Sequence, residues 1–156
     1  MAEPVTKTVT VPLTPERAFR LFTEEMASWW PLDRHAVSAE DGGAKDVTVP
    51  AEIGAQIFET TPSGKKVPWG RVTEHRPGHR FATSWHPGRP EAEATQVEVT
   101  FDAVADGTRV TLVHSGWQAL GAQQTSLRDQ YQNGWDTVFV QLFAAQARRC
   151  ALEPTH

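Results

Sequence analysis

The stretch that decides the fold is residues 124–149, QTSLRDQYQNGWDTVFVQLFAAQARR. Apolar side chains recur there every three or four residues, which is the period of an amphipathic helix. The stripe consists of Leu127, Tyr131, Trp135, Val138, Phe139, Leu142, Phe143 and Ala145. Two arginines at the C-terminal end of the stretch suit the negative end of a helix dipole. The pattern predicts one long C-terminal helix that must bury an aromatic face.

The residues before this helix predict a β-sheet. Six short runs separated by turn sequences such as Pro-Gly and Asp-Gly indicate an antiparallel meander, and the last two of them alternate cleanly between inward and outward residues. The runs are residues 46–50, 55–60, 66–75, 80–86, 95–102 and 108–114. Residues 5–11 alternate in the same way and predict the first strand. About seven antiparallel strands with a long helix on one face predict an α+β fold.

Two short helices are expected between the first strand and the meander. Thr14 is a suitable N-cap and Pro15 suits the first helical position, so the first helix should run from there to about residue 23. A second helix is expected over residues 24–30, because the proline that follows disfavours helical geometry in the residue before it. Residues 31–45 are rich in glycine and charge and are expected to form a loop.

Composition narrows the classes of function. The chain has 156 residues, 39% hydrophobic and 22% charged, which favours one globular domain over residues 1–156. A net charge of −4 argues against a nucleic-acid partner, which needs clustered basic residues. No membrane partner is expected, because no apolar run approaches the roughly 20 residues of a membrane helix. The lone Cys150 and the absence of a visible secretory signal favour the cytoplasm.

Eight short motifs, taken in order, connect the chain to a known family. They are Pro15-Glu16-Arg17-Ala18-Phe19, Trp29-Trp30-Pro31, Trp69-Gly70-Arg71-Val72, Pro77 with Arg80-Phe81, Thr83-Ser84-Trp85-His86, Gly107-Thr108-Arg109-Val110, His114-Ser115-Gly116-Trp117 and Gly134-Trp135. Over about residues 5–147 the chain resembles the AHSA1-type domain of the SRPBCC, or START-like, superfamily, named for an activator of the Hsp90 ATPase. The resemblance implies a helix-grip fold, in which a curved antiparallel sheet wraps a C-terminal helix around a deep cavity.

The same resemblance implies less about activity. The superfamily includes ligand carriers, polyketide cyclases and aromatases, and stress and resistance proteins. The eukaryotic chaperone activator carries an additional N-terminal domain that this chain lacks, so stimulation of Hsp90 is not expected here.

The expected site is the space between the sheet and the C-terminal helix. Tryptophan is abundant, with six residues, and each offers a large apolar face with one N–H donor, which suits an aromatic ligand. The alternative is that these rings fill the core. Of the adjacent Trp29 and Trp30, one is expected to pack and the other to cap the cavity mouth. The residues predicted to contact a small apolar or aromatic ligand are Trp30, Glu59, Trp69, Phe81, Trp85, Val99, Phe101, His114, Trp117, Tyr131, Trp135 and Phe139.

Three polar members of this set could carry chemistry. Alternation places Glu59 on the same face as Ala55 and Ile57, where a desolvated carboxyl could act as an acid or base, unless the strand end lets it reach water or an arginine. His114 should also face inward, either as a base or ligand donor or as a satisfied core histidine. The Tyr131 hydroxyl needs a partner if it is buried, and a polar group of a ligand could be that partner.

The sequence contains no motif for a serine nucleophile, a metal site or a cofactor. Ser115 follows a histidine, but adjacent strand residues point to opposite faces, and no Gly-x-Ser-x-Gly elbow exists. His75, His79 and His86 surround one turn without helical spacing or a cysteine, so no metal site is predicted. His86 is expected at the rim or outside, because it alternates with an inward tryptophan. No cofactor motif is present, so none is expected.

The leading hypothesis is a ligand-binding domain rather than an enzyme. The first alternative is a cyclase, dehydratase or hydrolase that uses Glu59 or His114 as its acid or base. The second is a chaperone-associated interaction module, which would need an exposed apolar patch of a few hundred Å² that could also serve a homodimer. Gly134 is expected to be glycine because a side chain there would block the cavity or the sheet.

Overall fold

Seven strands form one antiparallel sheet in the computed structural model, which describes residues 3–32 and 43–152. The order across the sheet is β1-β7-β6-β5-β4-β3-β2. The strands are β1 Val5–Val11, β2 Asp46–Thr48, β3 Gln56–Thr60, β4 Lys66–Arg76, β5 Arg80–Trp85, β6 Thr95–Val104 and β7 Gly107–Ser115. Each overlaps one of the predicted runs, so the α+β fold class is confirmed.

The first helix, α1, spans Pro15–Phe22 as its capping residues predict. The Thr14 side chain accepts a hydrogen bond from the backbone N–H of Arg17 at 3.2 Å, which satisfies one free donor of the first turn. The inner face of α1 buries four side chains, Ala18, Phe19, Leu21 and Phe22. This helix therefore closes one end of the sheet with two phenylalanine rings.

The second predicted helix is reduced to a single 3₁₀ turn, Met26–Ser28. Both Trp29 and Trp30 are buried, whereas only one was expected to pack inside. A regular helix cannot turn two adjacent side chains into the same core, so the chain leaves helical geometry at this point. Most of the loop predicted over residues 31–45 falls outside the described residues.

The C-terminal helix, residues 124–152, is not one uniform helix. It comprises α2 Gln124–Trp135, a π-helical segment Asp136–Phe143 and α3 Ala144–Leu152, preceded by a 3₁₀ stretch Trp117–Gln123. In a π-helix residues five apart share a face, so Val138 and Phe143 are both buried. After this segment, the buried positions of the helix differ from those of the predicted stripe. Phe143, Ala144 and Ala147 are buried, while the predicted stripe members Leu142 and Ala145 are only half-buried.

None of the helices within residues 3–32 and 43–152 combines the length and the apolar character that crossing a membrane requires.

The structure does not support the steric reason proposed for Gly134. A Cβ built at this position meets no atom of the described residues within 4 Å. The glycine lies inside α2, where Ala is favoured over Gly by about 1 kcal/mol. We therefore expect Gly134→Ala to raise the free energy of unfolding by up to about 1 kcal/mol, as measured by urea denaturation. A loss of stability would show that the position does contact its surroundings.

Candidate functional site

The directions of the strands place four of the predicted site residues at the same end of the sheet. Because neighbouring strands are antiparallel, β3, β5 and β7 run the same way and end together, beside the starts of β4 and β6. Glu59 lies near the end of β3, Trp69 near the start of β4, Trp85 at the end of β5 and His114 near the end of β7. We call this region the tryptophan end of the sheet.

Four indole rings meet at the tryptophan end and form what we call the tryptophan cluster. Trp30 lies 4.9 Å from Trp69, 6.0 Å from Trp85 and 5.9 Å from Trp135, measured between ring centroids. Trp85 lies 5.5 Å from Trp69 and 5.7 Å from Trp135. Sheet, C-terminal helix and the connection after α1 thus each contribute rings to one cluster.

A fully buried carboxyl group borders this cluster. Glu59 has no exposed surface, and its Oε1 accepts a hydrogen bond from the Trp69 indole N–H at 2.7 Å. The bond joins neighbouring strands, because Glu59 pairs with Val67 across the β3–β4 ladder and Trp69 lies two residues further along. Alternation therefore places Glu59 inward, and an indole N–H, rather than water, is one of its partners.

His114 lies at the centre of a buried hydrogen-bond chain. Its Nδ1 lies 3.0 Å from the Trp135 indole nitrogen and its Nε2 lies 2.6 Å from the Thr95 hydroxyl. An indole N–H can only donate, so Nδ1 accepts and the proton of the neutral imidazole is on Nε2. Thr95 accepts that proton and donates its own to the Trp85 carbonyl at 2.9 Å.

This arrangement keeps His114 neutral. Burial lowers its pKa to about 3, because desolvation disfavours the imidazolium. The one nitrogen that could take a proton already accepts the Trp135 N–H. His114 thus has the bonding of a satisfied core histidine, and proton transfer to it would require that bond to break.

Tyr131 and Trp117 pack against His114 with their rings tilted or edge-on to one another. The Tyr131 ring centroid lies 4.7 Å from that of His114 and 5.8 Å from that of Trp117. Burial raises the pKa of the Tyr131 hydroxyl, and the nearby Arg89 charge and Trp85 indole N–H offset part of that rise. Trp85 and Trp117 are buried, and their own indole N–H groups have no partner in hydrogen-bond geometry among the described residues.

The remaining predicted residues lie elsewhere. Phe81 and Phe101 are at the opposite end of β5 and β6, where their rings pack within 6.5 Å of Phe19 and Phe22 of α1. Phe139 also contacts Phe22, at 6.1 Å. We call these residues, together with Phe143, the phenylalanine cluster. Val99 is buried midway along β6, and the other eleven predicted residues divide between two ends of one core.

His86 is buried, whereas alternation with Trp85 placed it at the rim or outside. β5 ends at Trp85, so strand alternation no longer applies one residue later. The His86 backbone N–H donates to the Trp69 carbonyl at 2.6 Å, and its Nδ1 donates to the Arg89 carbonyl at 2.9 Å. No group of three His, Cys, Asp or Glu side chains within the described part of the chain could hold a metal ion.

Sequence reasoning missed two residues of this region. Thr95 is buried and links His114 to the Trp85 carbonyl. Its inward position in the alternating run before Val97 could have identified it. Arg89 lies in a connection, where no periodicity applies, and its position beside Tyr131 follows only from the fold.

A separate cavity of about 180 Å³ lies between α1 and the β4–β5 turn. Its lining residues are Glu16, Phe19, Arg20, Thr23, Glu24, His75 and Pro77, and none of them belongs to the predicted site. The large apolar side chains that are mostly exposed within residues 3–32 and 43–152 are Ile53 and Leu152.

Residues 12–146 match the model of the family described as activator of Hsp90 ATPase homolog 1-like protein. The chain belongs to the AHSA1 family. This confirms the family resemblance of the motifs, and the helix-grip arrangement of sheet and C-terminal helix agrees with AHSA1 membership. No curated protein matches this AHSA1 chain by sequence.

Several solved structures have the same fold as this chain. Protein MLL2253 of Mesorhizobium loti has a TM-score of 0.68 and 15% identity, with 97% of this chain and all of that chain covered. An anthrahydroquino-γ-pyrone synthase, complexed with SUM, has a TM-score of 0.64 and 25% identity over 92% of this chain and 96% of its own. A protein of the dynemicin biosynthetic locus has a TM-score of 0.66 and 20% identity, covering 93% of this chain but 47% of its own. The fold of this chain is thus shared with a synthase and with a protein of a biosynthetic locus.

Proposed function

We propose that this protein binds a small aromatic molecule between the sheet and the C-terminal helix, against the tryptophan cluster. The observation that carries the proposal is the buried Glu59 carboxyl beside that cluster, bonded to Trp69 at 2.7 Å. Apolar packing alone would not select a carboxyl at a fully buried position, because burying it costs free energy unless polar partners are present.

The chemistry of the cluster fits an aromatic ligand with a hydroxyl group. Indole faces stack on aromatic rings and contribute about 0.5–1.5 kcal/mol beyond burial for each pair. A carboxylate can accept several hydrogen bonds at once, so bonds that Glu59 makes within the protein do not prevent it from accepting one more from a ligand hydroxyl. The likeness to an anthrahydroquino-γ-pyrone synthase supports a fused aromatic ring system with hydroxyl groups as the ligand class.

Entry of the ligand requires the rings to separate, because they contact one another in the structure. In this proposal the Trp30 side chain moves to admit the ligand. It lies in the connection after the 3₁₀ turn, whereas Trp69, Trp85 and Trp135 belong to strands or to α2. Movement of Trp30 would open the cluster without breaking a strand pair or the helix.

Glu59→Gln tests this proposal with 1-naphthol as the probe. We expect the wild-type protein to bind 1-naphthol saturably in equilibrium dialysis and Glu59→Gln to bind it about 10-fold more weakly. Gln keeps an acceptor for the Trp69 N–H but presents an amide donor to the ligand hydroxyl. Glu98→Gln is the matched control, since Glu98 lies on the outer face of the sheet and pairs with Arg80.

Two outcomes would refute the proposal. If the wild-type protein binds neither 1-naphthol nor naphthalene, it does not bind aromatic molecules of this kind and the proposal is wrong. Equal affinity for 1-naphthol in the Glu59 and Glu98 variants would place the binding away from the tryptophan cluster.

The burial of Glu59 also favours a second candidate, an enzyme that moves a proton on the bound aromatic ligand. Glu59 would be its acid or base, because the acceptor nitrogen of His114 is already bonded to Trp135. Conversion of a bound polyketide substrate that is lost in Glu59→Gln, with binding retained, would select this candidate over a carrier.

A further inference from the structure

The position of the Trp135 ring depends on a side-chain hydrogen bond as well as on the backbone. Trp135 is the last residue of α2, and the π-helical segment begins at Asp136, so the backbone hydrogen-bond pattern changes directly beside the ring. Across the core, the Trp135 indole N–H donates to His114 Nδ1 at 3.0 Å. This bond fixes the rotation of the indole, because the ring must keep its one N–H directed at the histidine.

His114 is itself held firmly on the sheet. It lies on β7, which pairs with strands on both sides, and its partners there are Val5 of β1 and Val97 of β6. Its Nε2–H donates to the Thr95 hydroxyl at 2.6 Å, which orients the imidazole and selects the tautomer whose Nδ1 accepts. In the opposite tautomer two N–H donors would face each other. Thr95 therefore acts on Trp135 through His114.

The same chain of hydrogen bonds reaches the backbone of a second residue of the tryptophan cluster. The Thr95 hydroxyl donates to the Trp85 carbonyl at 2.9 Å, and these two residues pair across β5 and β6. The ring centroids of Trp85 and Trp135 lie 5.7 Å apart, with an angle of 45° between the ring planes. The chain thus links a ring on the sheet to a ring on the C-terminal helix and limits how far the second can move relative to the first.

We propose that His114 is a positioning residue that holds the Trp135 ring as a fixed wall of the site, and that this wall selects planar aromatic ligands over saturated ligands of similar size. The inference rests on the proposed function and refines it. Because its N–H is already bonded, Trp135 offers a ligand its ring and no free donor. An aromatic ligand gains from contact with an indole held at one angle, whereas a saturated ring makes only apolar contact and is less sensitive to that angle.

1-Naphthol and decahydro-1-naphthol measure this selection, since both carry the same hydroxyl group and only the first has aromatic rings. We expect the wild-type protein to prefer 1-naphthol in equilibrium dialysis and His114→Leu to reduce that preference by about 3- to 10-fold, the effect of one oriented aromatic pair. His114→Gln is the matched control. Both variants lose the imidazole ring, but a glutamine amide keeps an acceptor for the Trp135 N–H and should retain the preference.

The indole N–H resonance of Trp135, assigned from its loss in Trp135→Phe, reports the bond itself. It should lie downfield in the wild-type protein and in His114→Gln, and move upfield in His114→Leu. If His114→Leu does not fold, Thr95→Val is the second variant, because it removes the acceptor of the His114 Nε2–H. We expect it to reduce the preference for 1-naphthol by about 2- to 3-fold.

Three results would overturn the positioning role and leave ligand binding intact. One is a wild-type protein that binds both probes equally. Another is an unchanged preference in His114→Leu, or in Thr95→Val where the first variant does not fold. The last is a loss of preference in His114→Gln while its Trp135 resonance stays downfield, since the bond would then be present without its effect. Binding of neither probe by the wild-type protein would instead refute the proposed function.

Discussion

Gly70→Ala will lower the free energy of unfolding by about 3 kcal/mol or more, the upper range for overpacked positions. A Cβ at this position would lie 1.8 Å from the Ser84 carbonyl oxygen and 2.7 Å from its carbon. These are backbone atoms of the neighbouring strand, so no side-chain rotation can relieve the clash. Strands β4 and β5 would have to separate locally.

Gly70→Ala should also change the packing of the tryptophan cluster. Gly70 follows Trp69 and Ser84 precedes Trp85, whose rings lie 5.5 Å apart. Separation of the strands would move those two rings apart, and the near-ultraviolet circular dichroism of the tryptophans should weaken. Urea denaturation of Gly70→Ala beside Gly134→Ala makes the comparison direct, since both add one methyl group. If Gly70→Ala lowers the free energy of unfolding by less than about 1 kcal/mol, the two strands can separate at this point at little cost and the prediction is wrong.

Lowering the pH from 7.5 to 5.5 will reduce stability by about 1.4 kcal/mol through His114 alone. The pKa of His114 is about 3 in the folded protein, against an ordinary value of 6.5. Between these two values the unfolded chain binds a proton that the folded protein excludes. Stability is therefore complete above pH 6.5 and falls progressively as the pH drops toward 3.

His114→Gln isolates this contribution. A glutamine amide can accept from Trp135 and donate to Thr95, yet it does not titrate. The difference in unfolding free energy between pH 7.5 and pH 5.5 should be smaller in His114→Gln by about 1.4 kcal/mol, because the other histidines contribute equally to both proteins. Identical pH dependence in the two proteins would show that His114 is protonated in the folded state.

The fold could be predicted from local patterns because those patterns reflect local physics. Residues 5–11 alternate and form β1, and the Thr14-Pro15 pair begins α1 where its capping chemistry requires. Local rules failed where an element ended. His86 lies one residue beyond β5 and turns inward, and two adjacent tryptophans after α1 are both buried.

The candidate site was predicted only in part, for a related reason. Alternation placed Glu59 and His114 on the inner face, because a strand fixes the direction of its own side chains. Their partners depend on contacts between distant segments. His114 meets Thr95 across 19 residues and Trp135 across 21. The separation of tryptophans from phenylalanines follows from strand order, which the spacing of apolar residues along one strand does not encode.

The two aromatic clusters lie at opposite ends of the sheet and are linked by Trp29, whose ring lies 5.8 Å from that of Trp30 and 5.1 Å from that of Phe143. Substitutions that are far apart and share no partners have nearly additive effects on stability, whereas neighbouring residues couple. The phenylalanine cluster under α1 can therefore stabilise the fold while Trp85 and Tyr131 change in ring size, donors and acceptors. A change at Trp30 is different, because Trp29 transmits it to the phenylalanine cluster, so an engineer should vary Trp29 and Trp30 together.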